Sequence, residues 1–238
     1  MAIKLLLTSS GLTDRPVQQA FHKLLYGIEK PRIALLYTIK DPGDEQWLIN
    51  YGNEAEQLGV SYEFINLSED KDLSDQNNYD AYYVAGGNTF YILDRLKKTG
   101  MFGVLARAII AGKLYIGLSA GSIIAGSDIE IAGFGPSGDP NDIELQDLSS
   151  LAVVPFHVYP HFVKQEEEMI LKFYKKRRRP VIALSDGQAV LVQDNAHSLL
   201  GEGAGYVLCS SNSSLLIYGA FIVLSELKYF LFSEDDYI

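Results

Sequence analysis

Cysteine is almost absent from this sequence of 238 residues, since Cys209 is the only one. One cysteine cannot form an internal disulfide, which excludes the small secreted folds that disulfides hold together. Long apolar runs are lacking too. The apolar run near the N-terminus covers residues 5–7 and is too short for the core of a signal peptide or for a membrane span. We therefore expect a cytoplasmic protein that does not cross a membrane.

Basic residues are fewer than acidic ones, 20 against 30, which gives a formal net charge of −10. This balance argues against nucleic acid and against an anionic membrane surface as partners. The hydrophobic fraction of 47% and the charged fraction of 21% are those of a globular protein. Because no repeat, low-complexity segment or linker divides the chain, we expect a single domain over residues 1–238.

What the sequence does contain is a series of short apolar runs separated by segments with helical spacing, a pattern typical of a parallel α/β sheet. The predicted strands cover residues 3–7, 32–37, 62–67, 80–85 and 114–118, and the predicted helices cover residues 17–25, 44–58, 91–98 and 102–111. The middle of the chain is more mixed. We predict a strand at 127–132, a long loop at 133–147, an apolar strand at 151–154, a turn at 155–162, a helix at 165–175 and a strand at 181–184. From residue 188 onward, short strand-like runs predict antiparallel strands at the edge of the sheet.

The segment Gly117-Leu118-Ser119-Ala120-Gly121 follows the fifth apolar run and has the Gly-x-Ser-x-Gly pattern of a nucleophile elbow. A serine at a sharp strand-to-helix turn has a strained backbone, and the two glycines remove side chains that would clash across it. The hydroxyl of Ser119 then faces a cleft, and the N–H of Ala120 lies at a helix N-terminus where it can stabilise an oxyanion. A helix-capping serine in a glycine-rich turn is the alternative interpretation.

A second glycine turn, Gly86-Gly87-Asn88, follows the fourth predicted strand. Ligand sites of open α/β sheets lie outside the carboxyl ends of the strands, where both glycine turns fall. If the two strands are neighbours, an N–H of Gly87 or Asn88 lies opposite that of Ala120. Asn88 or Thr89 is also suited to cap the next helix.

A serine needs a base, and the base needs an acceptor that orients it. His22 and His197 fall in an N-terminal helical segment and a polar turn, so His157 and His161 remain as candidates, with a slight preference for His161. Asp186, at the end of a predicted buried strand and followed by glycine, is the best acceptor. The alternatives, all in the long loop, are Asp139, Asp142 and Glu144.

Five segments of the chain match one family of enzymes in sequence and in order. They are residues 4–10 (KLLLTSS), 84–90 (VAGGNTF), 114–121 (LYIGLSAG), 160–162 (PHF) and 184–187 (LSDG). With these segments the chain resembles the aspartyl dipeptidase (dipeptidase E) and cyanophycinase family of serine peptidases. The resemblance implies a flavodoxin-like, doubly wound, mostly parallel sheet of the class I glutamine amidotransferase type. It also implies hydrolysis of small peptides through an acyl-enzyme, without metal or cofactor.

Residue by residue, the resemblance assigns Ser119 as nucleophile, His161 as base, and the N–H groups of Gly87 and Ala120 as the oxyanion hole. Asp186 matches a position where dipeptidase relatives carry a glutamate proposed as the third triad member. A second family assignment, an aspartate in the loop after the elbow, falls on Phe134, which has no carboxylate.

The chain departs from aspartyl dipeptidase after the histidine, where those enzymes have an arginine suited to the aspartyl carboxylate. Here residues 164–169 are KQEEEM, and Lys164 is the only cation among them. Lys164 and Asn88 are the candidate substrate-binding residues, and we predict a peptidase of unassigned specificity.

Two other functions stay open at this stage. One is a different amide hydrolysis on the same fold, such as degradation of an aspartate–arginine storage polymer, and the other is non-catalytic binding of a small ligand. A glutamine amidotransferase is disfavoured because the elbow carries serine and Cys209 comes too late in the chain. The exposed sheet edge and the aromatic residues are compatible with a homodimer without requiring one.

Overall fold

The computed structural model describes residues 3–40, 43, 45–193 and 196–202, and beyond them the backbone of three strands. Its strands are β1 Lys4–Thr8, β2 Ile33–Tyr37, β3 Tyr62–Asn66, β4 Ala81–Val84, β5 Leu114–Leu118, β6 His157–Tyr159, β7 Val181–Ala183, β8 Ala189–Gln193, β9 Ala196–Leu200, β10 Ala204–Cys209, β11 Ser213–Tyr218 and β12 Ile222–Val223. The helices are α1 Arg15–Leu24, α2 Glu45–Leu58, α3 Thr89–Lys98, α4 Met101–Ile110, α5 Ala120–Ile124 and α6 Glu167–Arg177.

The main sheet has the strand order β12-β9-β8-β1-β5-β4-β2-β3. The five strands from β1 to β3 in this order are parallel, and β8, β9 and β12 add to the edge in antiparallel pairing. This confirms the predicted fold class, a mostly parallel doubly wound sheet with antiparallel strands from the C-terminal part. It also confirms that β4 and β5, the strands that lead into the two glycine turns, are neighbours.

Alternation along each parallel strand distributes the apolar side chains over two faces, as the pleat requires. Leu6 of β1 belongs to the core that α1 and α2 cover, whereas Leu5 and Leu7 belong to the core beneath α3 and α4. All three leucines are fully buried. Helices on both faces therefore leave the carboxyl end of the sheet as the accessible edge for a site.

A second, four-stranded sheet has the order β11-β10-β7-β6. We predicted that the whole chain from residue 188 extends the edge of the main sheet, and for β10 and β11 this is wrong. β10 pairs with β7, with Ile182 opposite Val207, so β7 also lies in the second sheet. Strand partners depend on pairing across the fold, which the local pattern does not encode.

Three local predictions are also corrected in the middle of the chain. Residues 127–132 form no strand: Asp128 makes an isolated bridge to Ser149, and a 3₁₀ helix covers Glu130–Gly133. Residues 151–154 are not a strand either, and the predicted turn at 155–162 contains β6. A 3₁₀ turn at Lys164–Glu166 delays the start of α6 by two residues. Short apolar runs flanked by proline and glycine are where the helix and strand patterns are hardest to separate.

None of the helices in the described part of the chain combines the length and the apolar character that crossing a bilayer needs. The expectations of a single domain and of a homodimer stay predictions.

Candidate active site

Ser119 lies between β5 and α5 with φ 50° and ψ −105°, a backbone conformation that residues with side chains seldom adopt. Its N–H donates to the carbonyl of Thr8 at 3.0 Å. The buried hydroxyl of Ser122 donates to the same carbonyl at 2.8 Å. The strained turn is thus fixed to the carboxyl end of the neighbouring strand β1, as a nucleophile elbow requires.

Neither of the two glycines of the elbow has room for a side chain. A Cβ on Gly117 would lie 2.6 Å from the carbonyl carbon of Gly121, and a Cβ on Gly121 would overlap the carbonyl oxygen of Val84. A Cβ on Gly86 would lie 3.6 Å from that of Ser119. The elbow therefore packs directly against the end of β4, and the second glycine turn lies beside the serine.

His161 is the histidine that reaches the serine. Its Nε2 lies 2.9 Å from Ser119 Oγ, and its side chain is about half exposed. His157, the other candidate, lies inside β6, is 1% exposed, and packs edge-on against Phe173. Its Nε2 is 3.9 Å from a carboxylate oxygen of Asp128. The strand turns His157 into the core, so of the two candidates His161 is the one in contact with the serine.

Asp186 completes the chain of contacts. Its Oδ1 lies 2.7 Å from Nδ1 of His161. With Nδ1–H donating to this carboxylate, the Nε2 lone pair faces the hydroxyl of Ser119, which is the tautomer that a general base needs. The Asp186 side chain is 67% exposed, so solvent competes for the carboxylate.

The other candidate acceptors contact different parts of the molecule. Oδ2 of Asp139 accepts from the N–H and the hydroxyl of Thr89 at 2.8 and 2.6 Å. Asp142 forms an ion pair with Lys40 at 2.9 Å, and Glu144 is exposed. Of the four candidate carboxylates, Asp186 is the one that the structure shows in contact with the histidine.

Gly87 and Ala120 flank the serine from the two neighbouring strands. β4 and β5 pair in parallel, with Val84 opposite Gly117. Gly87 has φ +133°, which favours glycine. Ala120 is the first residue of α5, so its N–H has no acceptor within the helix. Two backbone donors thus follow adjacent strand ends on the side of the sheet where Ser119 lies.

Asn88 has a structural task at the same turn. Its Oδ1 accepts from the N–H of Tyr91 at 2.9 Å, so it is the N-cap of α3. Its Nδ2 donates to the carbonyl of Pro140 at 2.8 Å. The capping role that the sequence suggested is confirmed, and a role of this side chain in substrate binding stays a prediction.

A cleft of about 670 Å³ opens beside Ser119 and His161 and extends along α2. Its wall includes aromatic, amide and small side chains, namely Tyr37, Trp47, Tyr51, Asn50, Asn53, Gln57, Thr13 and Thr38. Lys40 adds a positive charge to this wall. Lys164 is exposed and does not line the cleft, so its predicted contact with substrate has no support from the geometry.

Glu54 of α2 lies in the wall of the cleft with its carboxylate turned into the protein. It accepts from the N–H of Leu12 at 2.9 Å and from the hydroxyl of Tyr62 at 3.1 Å. Burial raises the pKa of Glu54, and burial also raises the pKa of the nearby Tyr51 to about 12. The hydrogen bonds of Glu54 to Leu12 and to Tyr62 of β3 hold α2 against the sheet.

Ser9 and Ser10 at the end of β1 were missed as site residues. The hydroxyl of Ser9 donates to Oδ1 of Asp186 at 3.0 Å and accepts from the N–H of His161 at 2.8 Å. The hydroxyl of Ser10 accepts from the N–H of Gly187 at 2.8 Å. A sequence signal was available, since small polar residues at the end of a central parallel strand lie at the ligand-binding edge.

Comparisons with known proteins identify the family of the chain. A model of peptidase family S51 matches residues 5–200. Peptidase E of Shewanella putrefaciens is 30% identical over 148 residues, which cover 58% of this chain and 61% of that protein. An uncharacterized peptidase of Listeria innocua is 31% identical over 199 residues, covering 80% of this chain and 92% of that protein.

The fold has a counterpart among solved structures. The crystal structure of a protein named for peptidase E from Listeria monocytogenes superposes with a TM-score of 0.70, 24% identity, and coverage of 85% of this chain and all of the other. The chain spans about three-fifths of the length of the Shewanella relative, whereas it spans nearly all of the Listeria innocua one. With the family model matching well over half of its length, the chain belongs to peptidase family S51.

Proposed function

We propose that this protein is a serine peptidase that hydrolyses small peptides through an acyl-enzyme on Ser119. The observation that carries the proposal is one continuous set of contacts, from Ser119 Oγ to His161 Nε2 at 2.9 Å and from His161 Nδ1 to Asp186 Oδ1 at 2.7 Å. Serine, imidazole and carboxylate in this arrangement form a triad, whatever their order in the chain.

In the first half of the reaction, His161 takes the hydroxyl proton while Ser119 Oγ attacks the carbonyl carbon of the scissile bond. The N–H groups of Gly87 and Ala120 stabilise the oxyanion of the tetrahedral intermediate. The imidazolium of His161 then gives its proton to the leaving nitrogen, and the amine product departs. Asp186 holds the ring in place and stabilises its charge during these steps.

In the second half, water replaces the amine. His161 takes a proton from the water, the resulting hydroxide attacks the ester carbon, and the same two N–H groups stabilise the second oxyanion. Collapse of this intermediate returns the proton to Ser119 and releases the new carboxylic acid. No step needs a group beyond the chain, the peptide and water.

A small peptide is the substrate we propose, because a cleft of about 670 Å³ has the size of a site for a drug-sized ligand. Its aromatic and amide wall suits uncharged side chains. Lys40 is already paired with Asp142, and we propose that a substrate carboxylate takes the place of Asp142. We also propose a cytoplasmic location, supported by the single cysteine of the chain. Cell fractionation with an antibody against the protein tests this location.

The decisive test is labelling of the folded protein with a small fluorophosphonate, followed by mass mapping of the modified residue. We expect modification of Ser119, and no modification in the Ser119→Ala or His161→Ala variants. Ser150 supplies a matched control, since it is a buried serine whose hydroxyl donates to the carbonyl of Ile124. The Ser150→Ala variant should be labelled like the parent protein.

A substrate screen follows the labelling. Dipeptides and tripeptides with acidic, neutral and basic residues are compared with branched β-linked aspartate–arginine peptides, and hydrolysis is followed by the release of amines. Turnover of the α-linked peptides that disappears in Ser119→Ala is the expected result. Peptidase activity that persists in Ser119→Ala would contradict the proposal.

A further inference from the structure

We propose that Ser9 is a positioning residue of the triad. Its hydroxyl holds the carboxylate of Asp186 and the backbone of His161 in the relative orientation that the triad needs. This inference rests on the proposed function of Ser119. Ser9 has no contact with the hydroxyl of Ser119 among the described hydrogen bonds, so its effect is exerted through the other two members.

The first part of this role concerns Asp186. The Ser9 hydroxyl carries one hydrogen, which can go to Oδ1 of Asp186 at 3.0 Å or to the carbonyl of Leu184 at 3.2 Å. The ionised carboxylate is the stronger acceptor of the two. Oδ1 is also the oxygen that His161 Nδ1 contacts at 2.7 Å. One carboxylate oxygen is thus held between the hydroxyl and the imidazole.

This tether matters because Asp186 is open to solvent. With 67% of its side chain exposed, water can solvate the carboxylate and favour rotamers that point away from His161. Ser9, in contrast, has no exposed surface. A fixed donor on the buried side of an exposed carboxylate opposes its rotation into solvent.

The second part of the role concerns the backbone of His161. This residue has φ 56°, a left-handed conformation that few residues other than glycine adopt. Its N–H donates to the Ser9 hydroxyl at 2.8 Å, and the next residue, Phe162, donates through its N–H to the carbonyl of Leu184. The hydroxyl therefore helps to fix the turn that aims the imidazole at Ser119.

The position of Ser9 explains why this one hydroxyl can serve both partners. Ser9 follows β1 in the main sheet, whereas His161 and Asp186 follow β6 and β7 in the second sheet. Its N–H donates to the carbonyl of Gln188, next to β8. Ser9 thus lies where the end of the central strand β1 meets the two turns that carry His161 and Asp186.

The test measures the second-order rate constant for fluorophosphonate labelling of Ser119 between pH 5 and 9, together with thermal unfolding. The proteins are wild type, Ser9→Ala, Ser9→Cys, Asp186→Ala and the double variant Ser9→Ala/Asp186→Ala. Ser150→Ala is the control for loss of a buried hydroxyl. Ser9→Cys keeps the shape of the side chain but has a larger atom and a weaker donor, and it replaces Ser9→Ala in the comparison if the alanine variant does not fold.

We expect Ser9→Ala to slow labelling by about tenfold to a hundredfold, the range that a misplacement of about 1 Å produces. Ser9→Cys should fall between it and wild type. In the Asp186→Ala background, Ser9→Ala should slow labelling by a factor that is several-fold smaller than in the wild-type background, because the carboxylate that Ser9 holds is gone. The midpoint of the pH profile should also move to lower pH in Ser9→Ala, since an imidazolium without a fixed carboxylate loses its proton more easily.

Three results would overturn the role of Ser9 while leaving the proposed function intact, the third of them in the control variant. One is wild-type labelling rates in Ser9→Ala, and another is an equal slowing with and without Asp186 and no change of the pH midpoint. An equal loss of rate in Ser150→Ala would likewise assign the effect to stability. Failure of Ser119 to react in the wild-type protein would instead contradict the proposed function itself.

Discussion

Nε2 of His161 lies 2.9 Å from Oγ of Ser119, although the two residues follow strands of different sheets. Ser119 follows β5 of the main sheet, and His161 follows β6 of the smaller one. The proposed catalytic contact therefore exists only because the two sheets meet at their carboxyl ends. Any change that shifts one sheet against the other should act on activity before it unfolds the protein.

The two candidate bases, His157 and His161, should differ sharply when replaced. His161→Ala removes the base, and we expect turnover to fall by at least about 10⁴-fold, as for loss of a triad member. His157→Phe keeps an aromatic ring against Phe173 and leaves the triad untouched, so activity should stay close to wild type. Steady-state kinetics on the best peptide of the screen measure both. Loss of activity in both variants with intact folding would contradict the assignment of His161 alone.

His157 should also make the protein sensitive to acid. Burial lowers the pKa of this imidazole from its ordinary 6.5, so the unfolded chain binds a proton where the folded chain does not. Stability contributed by the neutral ring is therefore present above about pH 6.5 and is lost as the pH falls below it. Urea unfolding at pH 5 and pH 7.5 should show a smaller loss of stability in His157→Phe than in wild type. An identical loss in the two proteins would mean that other groups control acid unfolding.

The elbow should reject a side chain at Gly121. A Cβ there overlaps the Val84 carbonyl, and we expect Gly121→Ala to destabilise the fold by about 1–3 kcal/mol or more through overpacking. Gly52 is the matched control, because it lies exposed in α2, where an added Cβ would meet nothing within 4 Å. Gly52→Ala should instead stabilise by about 0.5–1 kcal/mol. Chemical denaturation measures both, and equal stabilities for the two variants would argue against the packing of the elbow.

Asp139 should support the oxyanion turn from the long loop. Its carboxylate accepts from the N–H and hydroxyl of Thr89, two residues after Gly87. We expect Asp139→Ala to lower stability by about 1 kcal/mol, as loss of a cap does, and to slow acylation of Ser119. Asp147→Ala in the same loop removes an exposed carboxylate that pairs with Lys97 and should leave acylation unchanged. Equal acylation rates in both variants would show that the loop does not hold this turn.

Lys40 should set a preference for substrates with a carboxylate near the cleaved bond. It lines the cleft, and its ammonium pairs with the exposed Asp142, which a substrate carboxylate can replace. We expect Lys40→Met to reduce kcat/KM for acidic peptides by about tenfold, the value of one charged hydrogen bond. Neutral peptides should be affected much less. An equal reduction of kcat/KM for acidic and neutral peptides would show that Lys40 does not recognise the substrate carboxylate.

Much of the fold could be predicted from local patterns. Four of the five parallel strands are buried along nearly their whole length and appear as continuous apolar runs, whereas β3 lies at the edge of the sheet and is partly exposed. The four helices between the strands bury one face each and show helical spacing. Within the part of the chain that the structure describes, the errors fall in residues 127–166, in β10 and β11, and at His197, which lies in β9 and not in a turn. There, short runs such as 151–154 are apolar without forming a strand, and the pairing partners of the late strands depend on contacts distant in sequence.

The candidate site divides in the same way. The elbow was predictable because its requirements are local: a buried strand, a strained serine and two glycines for which neighbouring atoms leave no room. The same holds for Gly87 and for Asn88 as a helix cap. His161 and Asp186 were assigned from the sequence by the family resemblance, but their contacts with the serine and with each other, like the place of Lys40 in the cleft, required the assembled fold.

By itself, the sequence determined the strand-to-helix turn that presents Ser119, because sterics within a few residues dictate that geometry. The residue pattern left His157 and His161 open and the family resemblance assigned His161, whereas only the tertiary structure shows the physical reason. It pairs β6 with β7, so that His157 is buried and His161 emerges beyond the strand end. The tertiary structure also brings the carboxylate of Asp186 to His161, and it places the buried hydroxyl of Ser9 in contact with both residues. Ser9 is separated in the sequence from His161 by 152 positions and from Asp186 by 177. Its hydrogen bonds to them depend on how the two sheets dock, which no local sequence pattern encodes.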